Sequence, residues 1–196
     1  MGTIVNKDEY YRRLMQGNFV YDYPFSITEE SASYFDSIIE LIEITSPRIC
    51  NIIGQKGIGK SMFARYISFK KNINYIDSSK ISLLSATNPN YMHSVFARLE
   101  KSQSKEYFIL DDLYGCTAEQ YFSLQKNTTK TLFTVTEFPF DYSIPPDLYI
   151  IFSKAPYVLS EFYKRYPQFN QIEIIVINPD SYLKPNSKEI CFSRVM

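Results

Sequence analysis

An α/β fold, three layers deep with a mostly parallel central sheet between helices, is what the sequence predicts, and three observations predict it. Short apolar runs alternate with amphipathic segments through most of the 196 residues, as strands and crossover helices do in a parallel sheet. Two of the runs, 107–110 and 148–152, are apolar without a break, the pattern of strands buried on both faces. Between an earlier run and a helical stretch lies a glycine-rich turn, Gly54-Gln55-Lys56-Gly57-Ile58-Gly59-Lys60-Ser61. The length fits one domain, 26–196, preceded by an arm over 1–25.

The elements follow in order. Residues 1–25 mix charge with aromatics (Tyr10, Tyr11, Phe19, Tyr21, Tyr23, Phe25) and read as a short helix and an arm laid on the domain, or as a docking segment for another subunit. Ser26 and Glu29 have capping-box spacing, and Phe35, Ile38, Ile39 and Ile42 mark one helix face that ends before Pro47. A strand over 48–53 and a helix over 60–70 flank the glycine turn, and 74–77 is a short second strand. Asn88-Pro89 opens a helix with Met92, Val95, Phe96 and Leu99 on one face; His93 beside that stripe is an ordinary helix residue. Strand 107–112 ends in two carboxylates, and a helix capped at Thr117 runs to about 126. Strand 131–136 stops at Glu137, strand 148–152 follows, and a helix extends from Pro156 to Pro167. Segments 172–177 and 189–193, joined by a polar turn, predict a C-terminal β-hairpin with no helical lid domain after the sheet.

Composition narrows the function classes. Formal charge is zero, with 21 basic and 21 acidic residues, so no global polycation argues for nucleic-acid binding. The charge is uneven: 1–46 has a balance of −5, whereas 47–71 holds Arg48, Lys56, Lys60, Arg65, Lys70 and Lys71 and no acid. That field suits a polyphosphate, and it also suits a solvated surface. Cys50, Cys116 and Cys191 are far apart with no paired spacing; with no secretory signal they predict reduced thiols in an intracellular protein. One histidine leaves little for a histidine metal site or a catalytic triad, and no run reaches the ~18 apolar residues of a membrane span.

The glycine turn carries the chemistry. GxxxxGKS between a strand and a helix is the P-loop, or Walker A, pattern. Its glycines let backbone N–H groups turn toward phosphate oxygens, and the helix start favours an anion. Residues Gly54 to Met62 are therefore the candidate nucleotide-binding set, with Lys60 on the terminal phosphates and Ser61 on Mg²⁺. The predicted cofactors are ATP and Mg²⁺. Asp111 and Asp112 close an apolar strand about 50 residues later, the form of a Walker B: Asp111 as a Mg²⁺ ligand, Asp112 as the carboxylate that polarises the attacking water. Thr136 and Glu137 leave a strand expected between these two, within reach of the γ-phosphate or the water.

Over residues 48–194 the layout resembles the genome-packaging ATPases of the FtsK–HerA group found in poxviruses, other large DNA viruses and some archaeal viruses. The stretches that carry it are GQKGIGKS, YFILDD, TLFTVTEF, SIPPDLYIIFSKAP and a helix ending YKRYP. The resemblance implies a ring-forming homo-oligomer that hydrolyses ATP and translocates double-stranded DNA. Two positions depart from it. Glu137 stands where the family has a sensor glutamine, and Gln125-Lys126-Asn127 falls near its Gly-Arg-His, leaving Lys126 as the charge offered across a subunit interface. The chain is also similar to AAA+ replication proteins of the DnaA/Hda kind, through the helix before the Walker A strand and TLFTVTEFPFDYSIPPDL. The arginine expected after that stretch is missing. Superfamily 3 helicases share a DDL after the Walker B run, but their longer spacing to a sensor asparagine is not met. A nucleotide-gated initiator, loader or scaffold with weak turnover is the second function class, and a small-molecule kinase, lacking an Arg-rich lid stretch, the third.

Overall fold

Six apolar runs stand side by side as one parallel sheet in a computed structural model that describes residues 25–71, 73–77, 108–111, 131–137, 146–155, 158–181 and 189–192. The strands are β2 (Ile49–Gly54), β3 (Asn74–Asp77), β4 (Phe108–Asp111), β5 (Leu132–Thr136), β6 (Leu148–Phe152) and β7 (Glu173–Ile177). Their order across the sheet is β3-β4-β5-β2-β6-β7, and every neighbouring pair is parallel. The strand that follows β4 in the chain is thus inserted between β4 and β2, as the sequence predicts. Cys50 pairs with Phe133 on one side and Leu148 on the other, which makes β2 central. Its start is pinned by the Asp147 carboxylate, which accepts from the N–H groups of Arg48 at 2.7 Å and Ile49 at 3.0 Å.

Helix α1 (Glu29–Thr45) has its cap at Thr28, not at Ser26. The Thr28 hydroxyl oxygen accepts from the Ser31 N–H at 3.1 Å, while Ser26 is already committed to an extended strand, β1 (Phe25–Thr28). Ser46 ends the helix in the left-handed region at φ +46°, its N–H bonded to the Ile42 carbonyl, and Pro47 prevents continuation. Helix α2 (Lys60–Lys71) starts at the glycine turn. It packs Phe63 between Phe35 of α1 (centroids 4.8 Å) and Phe152 of β6 (5.8 Å). Tyr66 donates to Asp36 at 2.7 Å and Lys70 pairs with the same carboxylate at 2.9 Å, joining α1 to α2 at the rim of that core.

Helix α3 (Val158–Arg165) covers the opposite face, burying Phe162 against Tyr149 at 5.3 Å between centroids. Helices on both faces of an all-parallel sheet give the predicted three layers. The C-terminal hairpin is not formed. β7 joins the main sheet beside β6, and β8 (Glu189–Phe192) pairs antiparallel with β1 in a separate two-stranded sheet. The physical reason lies in Ile174, Ile175, Val176 and Ile177: a run apolar at every position serves both faces of a sheet edge better than the one-sided burial of an isolated hairpin. The predicted helix at 88–99 with His93, the helix capped at Thr117, and the arm before Phe25 lie outside the described residues. No helix among the described residues is long and apolar enough to cross a membrane. Cys50 is fully buried, and burial together with the nearby Asp147 charge pushes its thiol pKa up; it is an inert core residue.

Candidate functional site

The glycine loop, residues 55–59, joins the end of β2 to the start of α2. Gly54 has φ +149°, and a β-carbon there would lie 2.6 Å from the Phe152 carbonyl oxygen; β2 and β6 approach too closely at this point for a side chain. Gly57 has open space around it but takes φ +79°, and Gly59 takes φ +107°. At these two it is the backbone conformation that asks for glycine. The Gly59 carbonyl accepts from Phe63 at 3.0 Å, which begins the helix. Ile58 and Met62 turn toward the core that α1 and α2 cover.

Lys60 is 8% exposed. Its ammonium donates to the Gly54 carbonyl at 2.6 Å and the Gln55 carbonyl at 2.9 Å, which holds a buried positive charge under the loop. α2 has no acidic residue in its first turn, so no side chain of that turn opposes an anion at the positive end of its dipole.

Asp111 closes β4 and is 4% exposed. The Tyr75 hydroxyl, from the neighbouring β3, donates to its Oδ2. Arg65 of α2 donates to the Tyr75 oxygen at 3.2 Å and lies over its ring at 5.4 Å. On β5, Thr134 accepts from the Asn51 amide at 2.8 Å, and Thr136 donates to the Asn51 carbonyl at 3.3 Å. Asn51 is thereby satisfied in the middle of an otherwise apolar strand, and the Thr136 hydroxyl is directed across β2.

These parts surround one cavity of about 200 Å³, bordered by Lys56, Lys60, Ser61, Asp111, Thr136 and Glu137. The loop, the first turn of α2 and the ends of β4 and β5 meet there, outside the carboxyl ends of the strands, where open α/β sheets gather their ligands. The polar lining is mixed and hard: two lysines, two hydroxyls and two carboxylates. A divalent cation that takes one or two protein oxygens together with phosphate oxygens fits Ser61 and Asp111, and an anionic polyphosphate fits Lys60 and the loop. A second, larger groove of about 810 Å³ lies on the other side of the same loop, against α3.

Lys60, Ser61, Asp111, Thr136 and Glu137 are therefore brought together, whereas Asp112 and Lys126 lie outside the described residues. Tyr75, Arg65 and Asn51 were not legible as site residues. The signal for Asn51 was present, a lone amide inside Ile49-Cys50-Asn51-Ile52-Ile53. For Tyr75 it was the two-residue strand period, which puts Tyr75 on the face that Ile109 and Asp111 share. No protein-family profile and no curated protein sequence matches this chain.

Proposed function

We propose that this chain binds ATP with Mg²⁺ at the glycine loop and hydrolyses it, as a P-loop ATPase whose turnover is coupled to movement along double-stranded DNA. The observation that carries the reading is the convergence of Lys60 and Ser61 with Asp111, from two stretches about 50 residues apart, on one polar cavity beneath a loop that needs glycine. The position of β5 between β2 and β4 supports the additional-strand class of such ATPases, in which catalytic groups come from that inserted strand.

The chain's residues divide the work as follows. Loop N–H groups and the Lys60 ammonium take the phosphates, Lys60 exchanging the Gly54 and Gln55 carbonyls for stronger anionic acceptors. Ser61 and Asp111 would hold Mg²⁺, which neutralises charge on the phosphate oxygens. Asp112 takes a proton from water as its oxygen bonds to the γ-phosphorus and the bond to the ADP oxygen breaks. Thr136 and Glu137 border the same cavity, and Lys126 is the candidate positive charge brought by a neighbouring subunit in a ring. The resemblance to viral genome-packaging motors makes packaging the process this reading favours. Glu137 favours the second reading, an ATP-gated initiator, loader or binding module with weak turnover, because a carboxylate there repels a γ-phosphate.

ATP hydrolysis measured against protein concentration, with and without duplex DNA, tests this. Turnover should rise more steeply than linearly and respond to DNA, and Lys60→Ala or Asp111→Asn should lower it by about 100-fold or more. Tight ATP binding with no turnover under any of these conditions sinks the motor and leaves the gated module.

A further inference from the structure

Two cavities share the glycine loop, and they differ in size and lining. Lys56, Gly57 and Glu137 border both. The smaller, at about 200 Å³, is polar and falls short of the roughly 300–1,000 Å³ of pockets that enclose organic ligands. The larger, at about 810 Å³, lies within that range. Its apolar wall is a single ridge: Val158, Phe162 and Tyr166 recur every four residues along α3 and its exit. Ile53 and Ile151, from β2 and β6, extend the apolar surface under the loop. Arg165 lies over the Tyr166 ring at 5.7 Å, an aromatic and guanidinium pair of the kind on which planar bases stack.

We infer that this groove between the glycine loop, the β6 exit and α3 takes the nucleoside of the bound nucleotide, with its base against the Val158–Phe162–Tyr166 ridge, and that the small cavity takes only the terminal phosphates and metal. The inference rests on the phosphate-binding reading of the loop. Its force is that one ligand running from the ridge across Gly54–Gly57 to Ser61 and Asp111 meets apolar surface at its base end and cations and hard oxygens at its phosphate end.

The test fills the groove and compares two probes by calorimetry: Mg·ATP, and Mg·tripolyphosphate, which has the phosphates and no nucleoside. Val158→Trp occludes the ridge from a half-buried position. Glu161→Trp does so from an exposed position on the same helix, where it cannot disturb the core. Each should weaken Mg·ATP by about tenfold or more while leaving tripolyphosphate within about twofold of wild type. Unchanged Mg·ATP affinity in both variants overturns the inference, and does so equally if duplex DNA binding falls instead, since the groove would then be a nucleic-acid channel. Failure of tripolyphosphate to bind wild type, or its indifference to Lys60→Ala, overturns the loop reading itself and is a separate result.

Discussion

The two faces of the central sheet are built to different depths. On the face covered by α1 and α2, Phe35, Phe63, Tyr66 and Phe152 are fully buried and joined in one chain of ring contacts. The same face carries Lys60, Arg65, Tyr75 and Asp111. On the α3 face the buried apolar cluster is Ile53, Tyr149, Ile151 and Phe162, and the strands there also carry the polar pair Asn51 and Thr134. A groove remains open between that helix and the loop. The difference teaches how the loop is held. The dense face fixes the start of α2 relative to β4, where distances between charged groups matter, and the sparse face leaves room for a ligand.

Core truncations break that comparison most directly. Phe63→Ala removes a side chain locked between two other rings and should cost about 3–5 kcal/mol. Phe162→Ala, 7% exposed and bordering the groove, should cost nearer 2 kcal/mol, since its surroundings can relax into open space. Urea denaturation of both variants checks this; equal losses would mean that the two faces are equally packed.

The next test lies where the faces meet. Gly54→Ala puts a methyl 2.6 Å from the Phe152 carbonyl at a φ that side chains avoid, so β2 and β6 must separate. About 1–3 kcal/mol of stability should go, and Mg·ATP affinity should fall with it, because the Gly54 carbonyl is one of the two that hold Lys60. Unaltered nucleotide affinity would show that the loop is positioned by α2 alone.

The join between α1 and α2 can be read by pH. Burial raises the Tyr66 pKa to about 12, and its hydrogen bond to Asp36 acts in the same direction. The folded state therefore keeps a proton that the unfolded chain releases near pH 10. The contribution is intact below pH 10 and is lost between pH 10 and 12, a loss of about 2 kcal/mol. Lys70, also raised, chiefly by its bond to Asp36, loses its contribution in the same direction at high pH. Tyr66→Phe should flatten the alkaline limb of the stability profile; an unchanged limb would place the titration elsewhere.

What was legible in the sequence follows this division. The glycine loop was, because its chemistry is backbone chemistry, and glycine is what such backbone requires at Gly57 and Gly59. The parallel sheet was, because strands buried on both faces leave unbroken apolar runs. The hairpin was misread because a run such as Glu173-Ile174-Ile175-Val176-Ile177 states that it is a strand and not which strand it joins. β1 straddles the arm and the predicted helix cap at Ser26 and is hidden for the same reason, since its partner, β8, lies more than 160 residues away. Tyr75 is invisible there, and Arg65 shows only as one of the basic residues of 47–71, because their part in the site depends on β3 lying beside β4 and on α2 carrying Arg65 to the Tyr75 ring.

Tyr75 supplies the finest test of the dense face. Its hydroxyl donates to Asp111 and accepts from Arg65, so it ties the carboxylate to α2, the helix that also carries Lys60 and Ser61. Tyr75→Phe keeps the ring, the burial and the stacking with Arg65, and it removes the hydroxyl that makes the link. Stability should drop by about 1 kcal/mol, as for one buried hydrogen bond. If Tyr75 positions the carboxylate for the metal, the Mg²⁺ concentration giving half-maximal turnover should rise by about three- to tenfold, while ATP affinity without Mg²⁺ stays at the wild-type value. A loss of stability with an unshifted Mg²⁺ requirement would reduce Tyr75 to a core residue, and the dense face would then hold the site by packing alone.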